Sequence, residues 1–208
     1  MLEITNCSVY NFDNALRGAR NPLNSWDRSD SYFDEENHFV FGENDLTLLS
    51  KLCRAGSDHR KFMRQIFVSV DVKAPLYWWK EFDTYKVGTT ANSTSTMHKI
   101  HSAPFSVDDF SADRLDEDSL TFLGGIIEYL EKERLLFNET KDKRHWWNMI
   151  QLLPTSYQQL RTCTMSYECL TSMYFSRRSH KLDEWHVFCD MIETLPYAEG
   201  LILECGKK

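Results

Sequence analysis

Hydrophobic positions alternate in some stretches of the chain and recur every three or four residues in others, and the change of period divides the sequence into elements. Residues 2–10 alternate loosely through Leu2, Ile4 and Val9, which predicts a first strand. Asp13 suits the cap of a short helix over residues 14–19, and Asn21-Pro22 ends it, since proline disfavours helical geometry in the residue before it. Residues 24–37 are polar and acidic around Trp26, Tyr32 and Phe33. They read either as a surface loop with its aromatics tucked beneath it or as a loop covering a ligand. Asn44 or Asp45 caps a helix reaching Cys53, with Leu46, Leu48, Leu49 and Leu52 on its apolar face and Gly56 as its stop. A basic segment, residues 57–65, leads into a strand over 66–72, and Pro75 sits where a helix begins.

The pattern then breaks. Residues 88–96 hold one glycine, one alanine, one asparagine and six hydroxyl residues, with almost no apolar surface to bury. Trp78, Trp79, Phe82 and Tyr85 flank this run, and a polar loop so anchored is a candidate to line a site for a polar ligand. An acidic connector follows, and Asp116–Asp118 place negative charge at the start of a helix over 119–137. Leu120, Leu123, Ile127, Leu130 and Leu135 form its stripe. The pair Gly124-Gly125 weakens that helix by about 1 kcal/mol per glycine, which close backbone packing would explain. Further helices are expected over 143–153, up to Pro154, and over 155–194 with a break near 179–181. The expected class is α+β.

Composition narrows the function more than the fold. The 208 residues suit one domain, and 42% hydrophobic with 13% aromatic content supports a folded core. A net charge of −7 disfavours a global grip on polymeric nucleic acid, although a local basic pocket stays compatible with it. No apolar run is long enough for a membrane span, and the N-terminal residues lack a signal-peptide layout. Six scattered cysteines without C-x-x-C spacing read as reduced, mostly buried thiols, and the expected location is cytoplasmic.

Several segments, in order and spacing, carry a resemblance. IFVSVDVKAP (66–75) forms a strand and turn with His59 ahead of it, and LRGAR (16–20) places arginines on a first helix. Leu153-Pro154 ends one helix, Arg177-Arg178 lies near the end of a long one, and Asp183-Glu184-Trp185-His186 begins the next. Together these resemble the flavin-dependent thymidylate synthases, which methylate dUMP with a folate and a reduced flavin. The resemblance implies a single domain over residues 1–208 with an antiparallel sheet packed against long helices. It also implies FAD, with NADPH and a folate as further cofactors, and a homotetramer with ligand sites between subunits. The family signature R-H-R-x-x-S-x-x-x-x-S-x-R-Y is rewritten here. Its R-H-R becomes Thr84-Tyr85-Lys86, its serines become Thr89 and Thr94, and its R-Y becomes Thr96-Met97. Where the family places an arginine on its long helix, this chain offers Glu168 or Cys169, and an acid there would repel a phosphate unless turned away.

The candidate chemistry follows from this frame. Lys86, Thr89, Ser93, Thr94 and Arg178 are the expected nucleotide-binding residues, one or two charges joined to hydroxyl donors, with Arg20 or Arg177 able to add charge. The competing reading is a solvated run capped by its own side chains. His59, Arg60, Arg64 and Tyr85 are expected near the flavin, with Arg60 and Arg64 clamping a diphosphate if a helical turn puts them on one face. Trp78, Phe82 and Tyr85 share a helical face that suits either ring stacking or core packing. His98-x-x-His101 lacks the partners for a metal site, and no cysteine sits in a nucleophilic constellation. Two functions follow: a divergent flavoenzyme acting on a pyrimidine deoxynucleotide such as dUMP by one-carbon transfer or reduction, or a catalytically inactive nucleotide-binding or sequestering protein on the same fold.

Overall fold

The structure is a computed structural model describing residues 2–206. In chain order it runs β1 (Glu3–Tyr10), α1 (Phe12–Arg20), β2 (Tyr32–Phe33), β3 (Phe39–Val40), α2 (Glu43–Arg54), β4 (Phe67–Pro75), α3 (Leu76–Phe82) and β5 (Thr89–Ser93). It continues with α4 (Thr96–Lys99), α5 (Glu117–Thr140), α6 (Lys143–Leu152), β6 (Gln158–Ser166), α7 (Tyr167–Arg177), α8 (Asp183–Glu193) and α9 (Ala198–Leu201). Four strands form an antiparallel sheet in the order β1-β4-β6-β5, and β2 and β3 form a hairpin with Tyr32 opposite Val40. The class is α+β, as the periodicity implied. Among the described residues no helix is long and apolar enough to cross a membrane.

The chain divides into two compact units. The helical-hairpin unit takes in Val72–Thr84 and Asn92–Thr162. Its centre is Leu123, Leu130 and Met149 from α5 and α6, packed with Ile100, Phe105 and Phe110 from the connector before them. Asp116 caps α5 by accepting from the Ser119 N–H, and Asp142 caps α6 by accepting from Arg144 N–H. Trp78, Trp79 and Phe82 are buried within this unit, so the core-packing reading holds for them. The Gly124-Gly125 pair is not a close contact: a Cβ at either position meets nothing within 4 Å.

The larger unit takes in Ile4–Asp71, Tyr85–Ala91 and the chain from Cys163 onward. Val68 and Val70 of β4, Met165 of β6, Leu170 and Met173 of α7, and Trp185, Phe188 and Ile192 of α8 fill its interior. The buried Arg20 donates to Asp45 (Nε to Oδ1, 2.6 Å) and to the carbonyls of Ser25 and Arg28. Asp45 also accepts from the hydroxyls of Ser29 and Ser31, and the pair ties the loop between α1 and β2 to α2. Asp45 is therefore no helix cap; that position belongs to Gly42. Likewise α1 begins after Asn11, so Asp13 lies inside its first turn.

Three expectations are corrected by the sheet and the loops. Part of the polar run is strand β5, because its backbone finds a partner in β6 that side-chain pattern cannot reveal. Residues 158–166, expected as helix, are β6, with Gln159, Cys163 and Met165 buried on alternate positions. The aromatics of the loop between α1 and β3 do not tuck under: Trp26, Tyr32 and Phe33 are at least half exposed.

Candidate functional site

Helix α7 organises the candidate residues of the larger unit, with one group at each end. At its start Ser166 accepts from the Cys169 N–H, closing the first turn. Glu168, on that turn, accepts a two-pronged bond from Arg60, at 2.8 Å to Nε and 3.1 Å to Nη2. This carboxylate bond, the largest influence, raises the Arg60 pKa above its ordinary value. The next residue, Cys169, lies 3.2 Å from the Thr89 hydroxyl, and burial raises its pKa so that it stays a neutral thiol. Gly88, beside Thr89, takes φ +76°, and a Cβ there would come within 3.5 Å of the Ser166 hydroxyl.

At the far end of α7, Arg177 donates from Nε to the Tyr85 hydroxyl at 2.9 Å. Its guanidinium lies 5.5 Å from the centre of that ring and 5.0 Å from the centre of Trp185 on α8. Tyr85 and Trp185 meet edge to face at 6.1 Å. Arg178 turns the other way, 5.0 Å from the Tyr174 ring, and is exposed. Tyr174 donates to Glu193 at 2.5 Å, and burial together with this bond pushes its pKa up to about 12.

Within the larger unit, then, Arg60 and Thr89 are brought to adjacent residues of one helix turn, and Tyr85 to the other end of the same helix. His59, Arg64 and Lys86 are exposed on its surface. Arg60 and Arg64 do not share a face, because Arg60 precedes a 3-10 helix (Lys61–Arg64) in a non-helical conformation. Tyr85 lies beyond the end of α3, so it shares no helical face with Trp78 and Phe82. Arg20 is buried and spends its donors on Asp45, the Ser25 carbonyl and hydroxyl, and the Arg28 carbonyl. Glu168 does not stand unopposed where a phosphate would meet it; it is neutralised by Arg60.

Ser93 and Thr94 belong to the helical-hairpin unit. Both are exposed, and the Thr94 N–H and hydroxyl donate to the Leu160 carbonyl. The same unit holds a cation that sequence reasoning passed over. Arg161 donates to Asp83 at 2.7 Å, and its guanidinium lies 4.2 Å from the centre of the Trp79 ring. Assigning residues 155–166 to a helix hid it; strand alternation beside Gln159 is the signal that would have exposed it.

No protein-family model matches the sequence, and no curated protein does. Solved structures do match by shape. Thymidylate synthase X from Helicobacter pylori with FAD and dUMP superposes at a TM-score of 0.73 and 17% identity, over 100% of both chains. The fold is that of the flavin-dependent thymidylate synthases. A second structure of the Helicobacter pylori enzyme, complexed with FAD and dUMP, gives a TM-score of 0.70 at 16% identity, over 98% of this chain and 99% of that one. The UMP/dUMP methylase PolB from Streptomyces cacaoi, bound with 5-Br dUMP, gives 0.59 at 17% identity, over 93% and 88%. At these identities the likeness establishes the thymidylate synthase-like fold.

Proposed function

We propose that this chain is a divergent thymidylate synthase-like flavoenzyme, one domain over residues 1–208, acting on a pyrimidine deoxynucleotide such as dUMP by one-carbon transfer or reduction. The observation that carries this reading is the superposition over the whole chain on enzymes solved with FAD and dUMP. Lys86, Thr89, Ser93, Thr94 and Arg178 bind the nucleotide in this reading, and His59, Arg60, Arg64 and Tyr85 face the flavin. The donors fit an anionic cofactor in part. His59 and Arg64 are exposed and accessible, whereas Arg60 must be shared with Glu168. A bound FAD, reduced by NADPH, would supply the electrons and a folate the carbon. The chain's residues would supply orientation and charge. The family's homotetramer and a cytoplasmic location belong to the same reading.

A second reading, a nucleotide-binding or sequestering protein without catalysis, is favoured by two observations. Thr84-Tyr85-Lys86 lacks the family's histidine and two arginines, and the Arg60 guanidinium is already filled by the Glu168 carboxylate. Purified protein separates the readings. Yellow protein bleached by NADPH supports the enzyme. Colourless protein that gains no colour with FAD, yet melts higher with dUMP, supports the binder. Protein whose melting responds to neither ligand sinks both.

A further inference from the structure

A cavity of about 860 Å³ opens in the larger unit, where the end of β1, the start of α1, the β2–β3 hairpin and the turn after α8 converge, with Tyr167 at the start of α7 packed behind Phe12. That volume lies within the range of small-ligand sites. Phe12, Phe33, Phe39 and Tyr197 form its walls, and all are linked edge to face through a chain of rings. Phe33 meets Phe39 at 5.1 Å, Phe39 meets Phe41 at 5.3 Å, and Phe12 meets Tyr197 at 5.4 Å. Phe12 and Phe41 are buried and hold the wall; Phe33 is 54% exposed at the mouth.

The backbone around the cavity is held in conformations that side chains rarely adopt. Asn11 (φ 75°), Asn37 (φ 63°) and Tyr197 (φ 60°) all take left-handed geometry and all line it. Asparagine tolerates this; a bulky tyrosine does so only where its surroundings fix it. Here the Tyr197 hydroxyl accepts from the Phe41 N–H at 3.2 Å, which locks the ring in place. The walls are thus preorganised.

The charge of the lining selects the ligand. Among the lining residues there is no lysine or arginine, and Asp13 is the one carboxylate. His38 lies 3.6 Å from both Asp34 and Glu36, and Arg17 borders an adjoining recess with Asp13 and Phe39, so the acids Asp13, Asp34 and Glu36 outnumber the bases His38 and Arg17 here. A phosphate or carboxylate ligand would meet a like charge and no donor fork. A cation would meet the Asp13 carboxylate, which keeps its charge and further lone pairs while accepting from the Asn14 side-chain amide at 3.1 and 3.0 Å, and the negative faces of several rings.

We propose that this cavity binds a small aromatic ammonium compound, its cationic nitrogen towards Asp13 and its ring against Phe33, Phe39 and Tyr197. The site is independent of the nucleotide reading, which requires an anionic ligand at other residues.

The probe is benzyltrimethylammonium chloride, with benzoate and benzyl alcohol as anionic and neutral counterparts at matched ionic strength, followed by saturation-transfer NMR and calorimetry on the full chain. The expected result is saturable binding of the cation, little of the alcohol and none of benzoate. Asp13→Asn and Phe33→Ala should each weaken the cation by about threefold to tenfold, and Asp58→Asn, a remote exposed acid, should leave it unchanged. Phe33 is exposed, so its variant decides the matter should Asp13→Asn fail to fold. Equal binding of benzoate, or no saturable binding of the cation at millimolar concentration, overturns the proposal. So does cation binding untouched by Phe33→Ala.

Discussion

Two ionic contacts with similar chemistry serve different ends, and burial separates them. Arg20 and Asp45 are only 4% and 0% exposed, and each also satisfies neighbouring loop groups. Removing one partner leaves a buried charge, so Asp45→Ala should cost about 3–5 kcal/mol in urea unfolding. Burial works against ionisation of Asp45, but bonds from Ser31, Ser29 and Arg20 outweigh it and hold its pKa below the ordinary value. The sign follows from that depression. This stability is present above the unfolded value, near 4, and is lost as pH falls through the lower folded value. The Arg60–Glu168 pair, with side chains 17% and 20% exposed, is closer to solvent and closer to Thr89. Glu168→Gln removes the competing carboxylate while keeping the shape. Under the flavoenzyme reading it should tighten FAD or inorganic pyrophosphate by roughly tenfold in calorimetric titration. Weaker binding in that variant would mean that Glu168 positions Arg60 and does not compete for it.

Among the elements, α5 and α6 carry a further titratable contact. Burial works against ionisation of Glu133, yet bonds from Asn148 at 2.9 Å and from His145, whose Nδ1 lies at 2.7 Å, keep its pKa below the usual glutamate value. The melting temperature should therefore fall as pH drops below about 4, and Glu133→Gln should flatten that slope. How far such elements were legible depended on which signal each one leaves. Of the expected stripe, Leu123 and Leu130 are buried and Ile127 packs against them, because helix period reports one face directly, whereas Leu120 and Leu135 at its edges are exposed. The fold's strand-turn frame at residues 66–75 was legible for the same reason, as Val68, Val70 and Val72 alternate into the interior. Strand β5 was not, since Thr89–Ser93 buries no apolar row and owes its form to backbone pairing with β6. The candidate site was legible in residue type but not in partnership. Sequence marked Arg60 and Glu168 separately, and their pairing across 108 positions needed coordinates.

At the scale of the whole molecule, the outward side of α5 raises the question of assembly. Phe122 is 73% exposed and Tyr129 40%, and with Gly125, Ile126 and Leu152 they border an apolar recess of about 670 Å³. Exposed aromatic surface of this kind is costly to leave in water, and the homotetramer of the proposed reading offers one way to cover it. Gly124 and Gly125 turn that into a measurement. In the isolated chain a methyl group at either position meets open space, so Gly124→Ala and Gly125→Ala should each stabilise α5 by about 1 kcal/mol. If a second subunit packs on this face, Gly125→Ala inserts a methyl group into the contact instead, while Phe122→Glu places a charge there. Light scattering at micromolar concentration should then show a tetramer for the natural chain and smaller species for Phe122→Glu. Gly125→Ala should raise the melting temperature of those smaller species but weaken assembly. A monomeric natural chain whose melting rises equally with both alanines would instead mean that α5 faces water, and the glycines would be a plain loss of helix stability.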